Sequence, residues 1–151
     1  MGLNFKKNKF MLKENELRIG NLVYNDKDEI MKIARIETKE YTDWNSGDDD
    51  SITYQHLTNI GCYFQGNIKP IPLTENILLK LGFKLFGGWY FYEYFDDGET
   101  TSFCIKFDSN NNLFAYHTEV KDNRPLIYVY TTHQLQNLFF CLTGFELCVV
   151  S

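Results

Sequence analysis

Proline is scarce in this chain, at three residues in 151, while 44% of the residues are hydrophobic and 23% charged. That balance excludes a disordered protein and leaves ample apolar surface for a packed core. The length fits one ordinary domain or two small ones and excludes a large multidomain enzyme. No apolar run approaches the eighteen or so residues of a membrane span, so no membrane partner is expected. The lysines near the N-terminus are not followed by an apolar stretch of signal-peptide length. Basic charge is also short, with 15 Lys and Arg against 20 Asp and Glu for a net charge of −5. That sign makes nucleic acid a disfavoured partner. The deficit sits in the second half, where 5 basic face 9 acidic residues after Pro72, against 10 and 11 before it.

Cysteine pairing is absent too. Cys62, Cys104, Cys141 and Cys148 lie far apart with no CxxC, and three stand in apolar runs where thiols act as small hydrophobes. They read as reduced and structural, in a cytoplasmic protein. Phosphate-binding glycine loops are missing: Gly87 and Gly88 precede a strand rather than a helix. His56, His117 and His133 have no ligand or base partner near them in sequence. The run 108–119 places Asp108, Asn110, Asn112 and Glu119 at calcium-loop spacing. Leu113 fills the position that needs glycine, and the flanks alternate like strands, so a hairpin turn is expected there. These readings assign no catalytic residue, metal or cofactor, and point to a protein that is not an enzyme.

What is present is an α+β pattern. Residues 1–13 are lysine-rich and weakly patterned, and read as a flexible arm or an upstream start. Residues 14–69 read as a small curled β-sheet or SH3-like barrel. Its strands are expected over 17–24, 30–38, 52–57 and 61–64, with a bulge or tight bend at Gly20. Residues 70–151 begin with Pro70 and Pro72 and then a short helix capped by Thr74. Leu73 and Leu78 form its hydrophobic staple and Gly82 its stop. A four-stranded antiparallel sheet is expected over 89–95, 102–107, 113–118 and 126–130. The C-terminal helix has Thr131 and Gln134 as a capping box, an apolar stripe of Leu135, Leu138, Phe139 and Leu142, and Gly144 as its stop.

Two aromatic groups are candidate protein-binding sites. The first is the loop with Tyr41, Trp44 and the run Asp48, Asp49 and Asp50, an aromatic anchor rimmed by carboxylates that suits a basic protein surface. Its bland reading is a solvated acidic loop. The second comes from strand parity. Trp89, Phe91 and Phe95 point one way and pair with Phe103, Ile105 and Phe107 as a core. Tyr90, Tyr92 and Tyr94 point the other way, joined by Tyr116, Tyr128 and Tyr130 with Cys104 and Lys106, as a tyrosine-rich face. Glu93 breaks this pattern. Such a face packs against the N-terminal half, forms a homodimer or partner interface, or stacks bases as a nucleic-acid or nucleotide binding module, with Lys106 or Arg124 meeting phosphate.

Three segments, NELRIGN at 15–21, PIPLTENILLKLGF at 70–83 and HQLQNLFFCLTGFEL at 133–147, resemble an uncharacterised family of small Bacteroidota phage and prophage proteins. The resemblance implies a phage origin, a bacterial host cytoplasm and a shared scaffold, and carries no functional residue with it. With no catalytic motif, it points to an accessory protein that binds a host protein as an inhibitor of a defence or regulatory factor.

Overall fold

The computed structural model describes Leu12 and residues 16–37, 51–56, 63–65, 67–108, 113–117 and 127–150. Residue 37 and residues 51–56, 63–65 and 113–117 are described by backbone alone. The chain is α+β and divides into two compact units, Met1–Ile71 and Pro72–Ser151.

The first unit is an antiparallel meander of β1 (Leu22–Tyr24), β2 (Ile30–Glu37), β3 (Ser51–His56) and β4 (Tyr63–Gln65), in that order. The first strand is shorter than the pattern predicts. Residues 18–21 turn instead: Asn21 N–H donates to Arg18 O at 3.0 Å, and the Asn21 side chain accepts from Arg18 N–H at 2.7 Å. Gly20, at φ 94, donates to Ile33 O while Ile33 N–H donates to Asn21 O, so two residues oppose one and form a bulge. The β1–β2 connection is organised by Asn25, whose Oδ1 accepts from the N–H groups of Lys27 and Glu29 at 3.0 and 2.9 Å. Leu17, Val23, Met31, Ile33 and Ile68 form the core of the unit.

The sheet curls, and chain length requires it. After β4 the chain returns to the far side of β1, where Tyr24 and Lys69 exchange hydrogen bonds of 2.9 and 2.8 Å. Gln65 and Lys69 are separated by at most about 14 Å of extended chain. Crossing a flat sheet to that edge takes about 19 Å at ordinary strand spacing. The open β4 and β1 edges are therefore drawn toward one another. Among the described residues no ladder joins β1 to β4.

The second unit starts with α1 (Glu75–Lys80), capped by the Thr74 hydroxyl, which accepts from Ile77 N–H at 3.3 Å. It ends in a Schellman arrangement: Gly82, at φ 89, donates to Leu79 O and Phe83 N–H to Leu78 O. Leu78 and Phe83 are both buried, as is Leu73 ahead of the cap. The sheet that follows has five strands, not four: β5 (Lys84–Phe86), β6 (Trp89–Asp96), β7 (Glu99–Phe107), β8 (Leu113–His117) and β9 (Ile127–Val129). Between the Gly82 stop and the Gly87–Gly88 turn only Phe83, Lys84, Leu85 and Phe86 remain, too short a run to show alternation, so β5 leaves little trace in the sequence pattern.

The second helix, α2 (Thr132–Thr143), ends at Gly144 in the left-handed region, but its other end and its stripe differ from the expected pattern. Thr131 makes no side-chain cap; its hydroxyl turns to the His133 ring, 3.1 Å from Nδ1, and the Gln134 side chain accepts from Tyr130 N–H instead. Leu142 is exposed, while Gln136 is buried, its Nε2 donating to Leu147 O at 2.9 Å. A hydrogen bond to the returning chain thus lets a polar residue hold a core position.

The core face of the sheet is the main correction. Tyr92 lies opposite Phe103 and Tyr90 opposite Ile105, so the tyrosine row shares its face with the apolar residues of β7. Tyr90 and Tyr94 are buried, Tyr92 is partly buried, and the Phe139 ring of α2 meets Tyr92, Phe103 and Tyr94 edge-on at 5.1, 5.4 and 5.5 Å. The tyrosines therefore point into the core, and Trp89, Phe91, Glu93 and Phe95 point away from it.

Candidate interaction surface on the five-stranded sheet

Two tight turns decide which residues face outward. Gly87 and Gly88 both have positive φ, 58 and 81, as do Asp97 and Gly98, 47 and 86. Such two-residue turns match the twist of a hairpin and make the residues beside them a hydrogen-bonded pair. Phe86 then pairs with Trp89, and Asp96 with Glu99. The odd-numbered residues of β6 consequently share the outer face with Lys84, Phe86, Ser102, Cys104 and Lys106.

One row of this face crosses the whole sheet. Phe86 pairs with Trp89, the Lys106 ammonium stands 4.9 Å from the Trp89 ring centroid, Lys106 pairs with Phe114, and Phe114 with Tyr128. Phe86 is 79% exposed and Phe95, farther along β6, 66%. Tyr128 and Tyr130, both exposed, stack at 6.5 Å with their planes 7° apart. A cation over an indole and offset aromatic pairs are arrangements that aromatic quadrupoles favour. Beyond this row, Lys84, opposite Phe91, reaches diagonally to Glu93, 3.1 Å away, with both side chains solvent-exposed.

Cys104 is buried on this face, and burial pushes its thiol above the ordinary value, so it stays protonated and is a poor nucleophile at neutral pH. On the core side, burial and then the hydrogen-bonded Glu75 carboxylate raise the Tyr90 hydroxyl, while burial and then Cys148 raise Tyr92. Neither tyrosine is poised as a base. Among the described residues no three His, Cys, Asp or Glu side chains are grouped to hold a metal. His133 is buried at the start of α2, and Phe107 pairs with Leu113 across the connection where calcium spacing was noted, giving a β-hairpin.

The sequence-derived candidates thus separate. Tyr41, Trp44, Asp48, Asp49 and Asp50 lie outside the described residues. Tyr90, Tyr92 and Tyr94 line the core, and Tyr128 and Tyr130 are on the surface. Phe86, Trp89 and Phe95 were missed as surface residues, although Glu93 marks their parity as solvent-facing.

No family model, curated protein or solved structure matches the chain. Among the described residues, no helix is long and apolar enough to cross a membrane.

Proposed function

We propose that the protein is a non-enzymatic phage or prophage accessory protein that acts in the cytoplasm of a bacterial host by binding a host protein, as an inhibitor of a defence or regulatory factor. The observation that carries the binding part is the outer aromatic row of the five-stranded sheet, with Phe86 and Tyr128 exposed at its two ends and the Lys106–Trp89 contact between them. Aromatic side chains offer large rigid contact area, and Trp, Tyr and Arg dominate the energetics of protein interfaces. Occlusion of the partner's own site is the mechanism such an exposed aromatic surface suits. The phage and host assignments rest on the resemblance of the three segments at 15–21, 70–83 and 133–147.

The test is affinity purification of tagged protein from the host, with nuclease treatment and a moderate-salt wash, followed by mass spectrometry. A stoichiometric host protein that is lost when Phe86→Ala and Tyr128→Ala are combined is the expected result. Retention of that protein by the double variant overturns the assignment of the surface. Recovery of nucleic acid alone, bound with steep salt dependence, replaces protein binding by base stacking.

A further inference from the structure

The sheet has an open stretch of edge next to the aromatic row. On the β7 side of β6, the narrow hydrogen-bonded pairs fall at Tyr90, Tyr92, Tyr94 and Asp96, because the Asp96–Glu99 pair closes a two-residue turn and alternation does the rest. The backbone groups of Trp89, Phe91, Glu93 and Phe95 therefore point to the other side. There β5 covers only Trp89 through Phe91, since it stops at Lys84. Among the described residues no strand pairs with Glu93 or Phe95 on that side, which leaves their N–H and C=O groups as an unfilled continuation of the ladder.

We infer that an extended, basic segment of the partner adds to this edge as a further strand, continuing the line of β5 alongside Glu93 and Phe95. The inference rests on the protein-binding reading above and names the kind of segment bound. Charge selects the occupant. The edge is bordered by Glu93, Asp96, Asp97 and Glu99, all exposed, and Lys84 is held to Glu93 by an exposed pair that an incoming lysine or arginine readily replaces. A second copy of the chain is disfavoured, because an antiparallel pairing of two such edges brings both sets of carboxylates together. Strand addition supplies affinity through main-chain hydrogen bonds and specificity through alternate side chains. Here one set of incoming side chains lands beside Phe95, 66% exposed, on the outer face. The other set meets the opposite face of the sheet edge.

The probes are three short amidated peptides: alternating lysine and valine, alternating glutamate and valine, and the lysine–valine peptide N-methylated at alternate amides. Only the first is expected to bind the intact protein, and it should slow hydrogen exchange at the Glu93 and Phe95 amides while leaving the laddered Tyr92 and Tyr94 amides unchanged. Phe95→Pro removes one edge donor and no internal ladder bond, so it should weaken this peptide about fivefold relative to Phe95→Ala. Equal binding of the N-methylated peptide, or protection that bypasses Glu93 and Phe95, overturns strand addition. Dimerisation of the protein through this edge overturns it too. Loss of the host partner in the Phe86→Ala and Tyr128→Ala variant, alongside failure of every peptide, leaves the proposed function standing while sinking the strand.

Discussion

Replacing Phe139 by alanine tests the inward register of the tyrosines. Phe139 is completely buried and its ring makes edge contacts with Tyr92, Phe103 and Tyr94 at 5.1, 5.4 and 5.5 Å. Removal of a buried phenylalanine costs about 3–5 kcal/mol through lost burial and the cavity left behind. Aromatic contacts contribute about 0.5–1.5 kcal/mol each beyond area burial, which places this site near 4 kcal/mol. With a urea dependence of about 2 kcal/mol per molar, the unfolding midpoint of the second unit should fall by roughly 2 M. Urea titration followed by circular dichroism and by the amide spectrum of the second unit measures it. Phe95→Ala is the control: the side chain is 66% exposed, and the change should stay within about 0.5 kcal/mol. A Phe95→Ala loss as large as that of Phe139→Ala, or a Phe139→Ala shift below about 0.5 M, refutes the register.

Gly82→Ala should destabilise by at least about 1–2 kcal/mol, the cost of a left-handed backbone for an L-residue. Its new methyl group would also stand 2.9 Å from Val150 Cγ2 and 3.3 Å from Tyr92 Cε2, and thermal unfolding checks it. Thr132→Val should raise stability by about 1 kcal/mol, since the Thr132 hydroxyl is buried with no hydrogen-bond partner among the described residues and valine keeps the shape. Stability should fall at alkaline pH. Tyr90, Tyr92 and Cys104 all have raised values, from ordinary values of 10.0, 10.0 and 9.0, so the native state holds these protons more tightly than the unfolded chain. Their contribution is complete below pH 9 and is lost as the pH rises through and beyond the ordinary values, so urea midpoints at pH 8 and above pH 10 should differ in that direction.

Both helices were legible because their end signals are local: Thr74 and Gly82 bracket α1, and Gly144 stops α2. Gln136 was not, because its burial depends on the Leu147 carbonyl, a contact made only after the chain turns back. The face of β6 was misjudged for a different reason. The run Trp-Tyr-Phe-Tyr-Glu-Tyr-Phe is aromatic on both parities, so hydrophobic alternation cannot choose between them. Turn length chooses. If the connection to β7 spans the three residues Asp96, Asp97 and Gly98, Phe91 falls opposite Phe103; with the observed two-residue turn, Tyr92 does. A slip of one residue exchanges the two faces completely. Glu93, stranded among aromatics on one parity, was the signal that favoured the observed face. The candidate site was legible in kind, as an aromatic sheet surface: Tyr128 and Tyr130 of the second set stand on it with Cys104 and Lys106, whereas Tyr90, Tyr92 and Tyr94 line the core.

The order of the strands also bears on how the second unit is assembled. Each strand from β5 to β9 pairs with its neighbour in sequence, so the sheet can grow by successive short loop closures, each with a small entropic cost. The bond from Val150 N–H to Lys80 O, 2.8 Å long, instead joins the two ends of the unit and closes its longest loop. Local pairings of the first kind favour rapid folding, and a long closure of the second kind gains little until the sheet and α2 are in place. On these grounds the hairpins should form first, and the returning C-terminal segment should seal the core last.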